Sequence, residues 1–315
     1  MPEAPRTGSA RPVDPVALAR IAQRLRSAAQ PPWLHGEVAR RMAERLPLIL
    51  QQPRCVVDWA SRTGASAAWL TKTYPQARQV AVDAGELPRP DAVPRSAAPD
   101  RSARSGPSER SLARWWPWRR PAQPVAVHPD TLGEGIADLL WSNMALHGEA
   151  DPQALFVRWR RLLAPDGFLM FSTLGPGTLQ ELRELYQAQR WPAPMAPLVD
   201  MHDLGDMLVQ AGFGDPVMDQ ETLTLTWPDA RALLAELRSL GGNADPSRMA
   251  GLRTPRWRVR LEQALQAGAD SQGRIALTLE VVYGHAFAPA PRVRVQAEAV
   301  IGVQQLRDMA RRGRT

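Results

Sequence analysis

The sequence predicts a doubly wound α/β sheet, and three observations carry the prediction. The runs "CVVDWA", "SAAWLTKTYP" and "RQVAVDAG", beginning at Cys55, Ser66 and Arg78, make a strand, helix, strand unit of the length that a parallel crossover requires. The alternation resumes downstream in "PVAVHP", "IADLLWSNMAL", "DPQALFVRWRRLLAPDG" and "FLMFST". Each of the first two strands ends on an acid, Asp58 and Asp83, at the edge where open α/β sheets receive their ligands.

Before the first strand, Val16, Leu18, Ile21 and Leu25, then Val38, Met42 and Leu46, recur at helical spacing on either side of Pro31 and Pro32, which predicts two amphipathic helices. Cys55 is the only cysteine; beside two valines it reads as a buried strand residue, and alone it excludes a disulfide framework or a cysteine metal cluster. The alanines, Trp69 and Leu70 of the next segment suit a helix stopped near Pro75. Residues 84–122 are rich in Pro, Ser and Arg with little periodicity before Leu112, which predicts loop or disorder. There Trp115, Trp116 and Trp118 interleave with Arg114, Arg119 and Arg120, side chains able to stack on nucleic-acid bases. Tryptophans folded back on the core or forming a surface patch are the preferred reading, and no nucleic-acid partner is expected. The helix within "DPQALFVRWRRLLAPDG" is expected to close at Asp166-Gly167. Beyond it "GTLQELRELYQAQR" and "DMHDLGDMLVQAGF" read as helices and "PVMDQETLTLTW" and "IALTLEVVYGHAF" as strands, with a helical insertion over 229–268 between those strands.

Composition bounds the function classes. Hydrophobic residues make up 44% of the chain and charged residues 23%, the balance of a globular protein. No apolar run approaches the ~20 residues that cross a bilayer, and "MPEAPRTGSARPVDP" lacks the apolar core of a secretory signal, so a soluble cytoplasmic protein with no membrane partner is expected. Thirty-nine basic against 32 acidic residues give a net charge of +7, which admits an acidic partner. Lys72 is the only lysine and Asn143 and Asn243 the only asparagines; with 30 prolines, this is residue usage skewed by a GC-rich genome, which accounts for much of the arginine. His35, His128, His147 and His202 share no metal-ligand spacing, and no metal is expected.

The stretch "VVDWASRTGAS" stands where a nucleotide-binding turn belongs. Such turns shed side chains for glycine so that a ligand can approach, while an acid ending the second strand receives ribose hydroxyls. Only Gly64 remains of the glycines. Farther on, "DLLWSNMALH" and "RRLLAPDGFLMFSTLGPGTLQELREL" resemble the fourth and fifth strands of class I S-adenosylmethionine methyltransferases. More narrowly, "LVDMHDLGDMLVQAGFGDPVMDQETLTLTW", "LLAELRSLGGNA", "LTLEVVYGHAFAP" and the N-terminal "WLHGEVARRMAERL" are similar to the malonyl-carrier-protein O-methyltransferases of biotin synthesis, the BioC family, over about 33–75 and 125–290.

The resemblance implies an α/β, Rossmann-like class I methyltransferase fold. Its parts are a mostly parallel sheet with an antiparallel last strand, a helical cap over 1–46, a main domain over 47–315, and lid insertions at 174–200 and 229–268. It implies S-adenosyl-L-methionine as cofactor, held by Asp58, Ala60, Gly64, Asp83, Ser142 and Asn143. It also implies methylation of the free carboxyl of malonyl-acyl-carrier protein or malonyl-CoA, with Arg183, Arg238 and Tyr283 as expected substrate contacts. A carboxyl with an ordinary pKa near ~4 is ionised at neutral pH, so the reaction needs no general base and no catalytic residue is singled out. Because an anion meets a sulfonium, a closed, poorly hydrated pocket is expected.

Several positions depart from the family. Its loop resembles D-L-G-C-G-T-G, so Ala60 and Arg62 stand where glycines are expected, and Arg62 must leave the pocket or turn its guanidinium on the cofactor carboxylate. The family's acid after the third strand has no clear counterpart, His128 or Asp130 lying nearby, and His35 takes the place of a glutamine. A catalytically degenerate relative that keeps the fold and binds a partner is the alternative expectation.

Overall fold

The computed structural model describes residues 10–83, 126–249, 251 and 253–290. The expected insertion over 84–122, with its Trp/Arg stretch 114–120, lies outside the described residues.

Two helices lead in, α1 (Pro15–Ser27) and α2 (Trp33–Ala43), separated by the prolines. The first crossover follows as β1 (Cys55–Trp59), the short α3 (Ser61–Gly64), α4 (Ala67–Thr73) and β2 (Arg78–Val82). Then come β3 (Ala137–Ser142), α5 (Pro152–Leu162), β4 (Leu163–Leu174), α6 (Gln180–Ala188) and α7 (Met201–Gln210). Last are β5 (Gly214–Trp227), α8 (Ala230–Leu240), α9 (Pro255–Ala267) and β6 (Ile275–Phe287). The strands form one sheet in the order β2-β1-β3-β4-β6-β5. β2, β1, β3 and β4 pair in parallel, and β6, last along the chain, is antiparallel to both its neighbours. The sheet is thus mostly parallel with an antiparallel last strand, the Rossmann-like arrangement that the resemblance implies.

Two local expectations change. "PVAVHP" contributes, among the described residues, only a parallel bridge from Val127 to Val82. The helix before β4 stops at Leu162 rather than at Asp166-Gly167, and the strand starts at once. Asp166, with φ 63°, and Gly167 sit instead in a bulge, where the pairing jumps from Ala137–Leu163 to Leu139–Phe168. A Cβ on Gly167 would stand 3.0 Å from the carbonyl oxygens of Ala137 and Ala164, so the bulge demands the glycine.

Every residue of β1 is buried, as befits a strand covered on both faces. Val57 packs with Phe156 and Trp159 of α5 and Leu204 and Leu208 of α7 on one side, Val56 with Leu34, Val38 and Met42 of α2 and Leu70 of α4 on the other. Phe156 and Trp159 are wholly enclosed, so truncating either to alanine costs about 3–5 kcal/mol. A third cluster joins α6, α8 and α9 through Leu182, Leu233 and Leu261. Helix starts are fixed by side-chain caps: Asp14 for α1, Asp151 for α5, Asp200 for α7, Asp229 for α8 and Thr254 for α9. Cys55 is buried, and Lys72 stands exposed on α4 with its ammonium 5.6 Å from the Trp69 ring. No described helix is long and apolar enough to cross a membrane.

Candidate functional site

β1 runs into a turn at Ala60, whose φ of 57° and ψ of 41° are left-handed. Glycine adopts that conformation freely, whereas an L residue loses roughly 1–2 kcal/mol in it. The alanine therefore keeps the backbone shape of a glycine turn and adds only a methyl. Arg62 is exposed, so of its two expected fates it leaves the pocket, while its backbone N–H donates to Asp83 Oδ2 at 3.1 Å. A Cβ on Gly64 would lie 3.3 Å from Ser66 Oγ and 3.5 Å from the Asn143 carbonyl oxygen, so this glycine lets the turn pack closely on the loop after β3.

Beside the turn lies a cavity of about 310 Å³. Ala60, Thr63 and Asp83 line it from the sheet edge, His35 from α2, and Met144, His147 and Glu149 from the loop after β3. Leu18, Ile21 and Leu25 close it from α1; their spacing of three and four residues makes one apolar helix face. Leu179 and Leu182 at α6 and Leu237 and Leu240 of α8 complete the roof, so residues from both 174–200 and 229–268 reach the site. Ala60, Met144 and Leu179 all hold φ between 54° and 57°. Non-glycine residues kept in that region by their surroundings cluster at ligand sites. The segment before α1 is fastened across the roof: Asp14 N–H donates to the Ala244 carbonyl at 2.8 Å, and the Asp14 carboxylate pairs with Arg248 at 2.5 Å.

Among the expected cofactor residues, Ala60 and Asp83 line the cavity and Asp58, Gly64, Ser142 and Asn143 do not. Asp58 is enclosed one residue before the lining begins at Trp59, and its Oδ1 has no hydrogen-bond partner. Asn143 acts as a clamp. Its Nδ2 donates to the carbonyls of His35 at 2.7 Å and Gly64 at 2.5 Å, and its Oδ1 accepts from Ser172 Oγ at 2.7 Å. That side chain ties α2, α3 and β4 together, and Met144, the next residue, reaches the cavity instead. The expected substrate contacts stand apart from the lining, each engaged elsewhere or turned outward. Arg183 donates to the Pro176 carbonyl, Arg238 is exposed, and Tyr283 is buried, donating to Glu221 at 3.2 Å beneath the Arg45 guanidinium. His128 and Asp130 face one another at 3.4 Å outside the lining. Sequence reasoning missed Arg11, Thr63 and Glu149 as lining residues and weighed His147 only as a metal ligand. Arg11 lies ahead of any periodic pattern, so nothing in the sequence marks it.

The electrostatics suit an apolar chamber. His35 Nδ1 lies 2.7 Å from the Thr63 carbonyl and so carries a proton, which it donates. Burial pulls the His35 pKa down to about 4. Burial, then the nearby His35 and Arg11, pulls His147 down to about 3. Both imidazoles are neutral at neutral pH, and their rings meet edge to face at 6.4 Å. Burial, followed by the charge of Asp83, pushes the Asp58 carboxyl up to about 8. Burial also raises Asp83, opposed by the Arg62 N–H and the charges of Arg26 and Arg62. No group of three or more His, Cys, Asp or Glu among the described residues is placed to hold a metal ion. These residues fit a sulfonium nucleoside: the turn keeps a glycine's shape, the substituting arginine lies outside, and an acid faces the cavity.

No protein-family model matches the chain. Curated relatives do. The malonyl-[acyl-carrier protein] O-methyltransferase of Gallionella capsiferriformans is 38% identical over 277 residues, covering 85% of this chain and 88% of its own. That of Laribacter hongkongensis is 38% identical over 267 residues, covering 83% and 84%, and that of Methylovorus sp. 36% identical over 265, covering 82% and 84%. With more than four-fifths of both chains aligned at this identity, and with the parallel sheet and its turn in place, the chain belongs to the malonyl-[acyl-carrier protein] O-methyltransferase family.

Proposed function

We propose that the chain transfers a methyl group from S-adenosylmethionine to the free carboxylate of malonyl-[acyl-carrier protein], masking that charge for synthesis of a biotin precursor. The observation that supports this reading is the turn at Ala60: it holds a glycine's backbone shape beside an open cavity, with Arg62 turned away from it. When bound, S-adenosylmethionine supplies a methyl group made electrophilic by its sulfonium.

The chain's own residues bind, align and exclude water. Asp83 offers the ribose hydroxyls the carboxylate oxygen that Arg62 does not engage. The leucines of α1, α6 and α8 keep the chamber poorly hydrated, which strengthens the attraction between a carboxylate and a sulfonium. His35 and His147, held neutral, put no like charge beside the sulfonium. Transfer of that methyl to a carboxylate oxygen would leave the carbon–sulfur electron pair on sulfur and would move no proton. No general base is called for.

Incubating the full chain with methyl-labelled S-adenosylmethionine and either malonyl-acyl-carrier protein or malonyl-CoA tests this. Base-labile label on the carrier protein is expected, and the ratio of the two rates identifies the preferred thioester. Cofactor binding without transfer to either thioester would instead establish the non-enzymatic partner reading.

A further inference from the structure

We propose that Arg11, supplied by the segment ahead of α1, is a positioning residue that receives the substrate's reacting carboxylate. The inference rests on the carboxyl-methylation reading above. Among the described residues, two cationic side chains line the cavity, Arg11 and Arg26. Arg26 lies toward the ribose side, where its charge acts on Asp83. Arg11 lies against the loop after β3. Its Nη1 donates to the carbonyls of His147 at 2.6 Å and Glu149 at 3.0 Å, and its Nε and Nη2 donate to the Pro197 carbonyl at 3.1 and 2.8 Å. Its backbone N–H adds a bond to the Ala150 carbonyl at 2.8 Å. All these partners are neutral dipoles, so they aim the guanidinium without cancelling its charge, and among the described residues one N–H on Nη2 has no partner.

Burial lowers the Arg11 pKa, opposed by the nearby Glu149. Burial also raises Glu149, which weakens that compensation. A desolvated, immobilised cation on an apolar wall is a site for an anion. The anion of this reaction is a carboxylate, and with Arg183 and Arg238 directed elsewhere, Arg11 is the cation positioned to hold it. An acyl thioester lacking a terminal carboxylate has nothing to offer this group, so Arg11 sets the preference for a dicarboxylic acyl chain.

The test compares equilibrium affinities of malonyl-pantetheine and acetyl-pantetheine for the full chain, with S-adenosylhomocysteine present, in wild type, Arg11→Gln and Arg11→Lys. Wild type is expected to prefer the malonyl thioester about tenfold or more, as for one charge-assisted hydrogen bond. Arg11→Gln is expected to reduce the preference to within about twofold, with Arg11→Lys, which keeps the charge but not the planar fork, falling between. Arg11 also fastens the N-terminal segment, and a purely structural role weakens both thioesters alike and leaves their ratio unchanged; that result overturns the proposal, as does a wild type with no malonyl preference. A wild type that methylates malonyl thioesters while Arg11→Gln keeps the preference sinks this inference alone. A wild type without methyl transfer sinks the underlying reading.

Discussion

At the scale of single residues, Asp83 and Ala60 decide whether the altered turn still serves a nucleoside. Asp83→Ala removes a charged acceptor from the cavity wall and leaves the Arg62 N–H without its partner. Losing one charge-assisted hydrogen bond is worth about 1.5–3 kcal/mol, so calorimetry should record roughly ten- to hundredfold weaker S-adenosylmethionine binding. An unchanged affinity would place the ribose elsewhere. Ala60→Gly relieves the left-handed strain, offset in part by a more flexible unfolded chain, and is expected to raise unfolding free energy by roughly 0.5–1 kcal/mol in urea titrations. The place of Asp83 on the cavity wall was legible because an acid ending the second strand marks the edge where such sheets receive ligands. Ala60 misleads as a letter, because the glycine-like shape resides in φ and ψ, which the residue type does not announce. Arg183 and Arg238 stand outside the lining for a related reason: in so arginine-rich a chain, only geometry separates Arg11 and Arg26, which line the cavity, from arginines that do not.

At the scale of elements, the seating of α2 against the turn should respond to pH. His35 on α2 and His147 after β3 are held neutral with pKa values of about 4 and about 3, against 6.5 when unperturbed. Between those limits the unfolded chain takes up protons that the folded chain refuses, so stability is complete above pH 6.5 and is lost as pH falls toward 4. Each imidazole contributes a slope of about 1.4 kcal/mol per pH unit inside its window. Asp58, whose buried carboxyl is raised to about 8, acts in the opposite sense over the same range, so the test is a difference: from pH 7 to pH 4.5 the wild-type urea midpoint should fall relative to that of His35→Gln, and parallel pH slopes in the two proteins would refute the assignment to His35. Helices and strands with strong periodicity, such as α1, α2, β1 and α7, were readable from local pattern alone. The start of β4 was not, because "APDG" has turn chemistry, while what decides the bulge is the distance from Gly167 to carbonyls on the neighbouring strand. That information lies in residues 137 and 138, far away in sequence.

At the scale of the whole molecule, the sheet supplies a fixed edge while α1, α6 and α8 form a roof drawn from three separate stretches of chain. Its chamber of about 310 Å³ sits at the low end of the ~300–1,000 Å³ that ligand pockets span. Cofactor at a hundred times its Kd should stabilise the fold by about 2.7 kcal/mol, a rise of several degrees in Tm. No shift at millimolar cofactor would remove the enzyme reading. The fold class was legible in the alternation of strand and helix, and the sequence offered the cap and the two lid segments from which the roof is drawn; which side chains meet over the cavity was not legible, because that depends on how distant apolar helix faces converge. Lys72 is the chain's single lysine and is exposed on α4, outside the chamber lining. Apart from a terminal amine, amine-reactive reagents thus meet one side chain, so a dye or a sensor chip can be anchored there while the guanidinium groups that give the protein its charge stay unmodified.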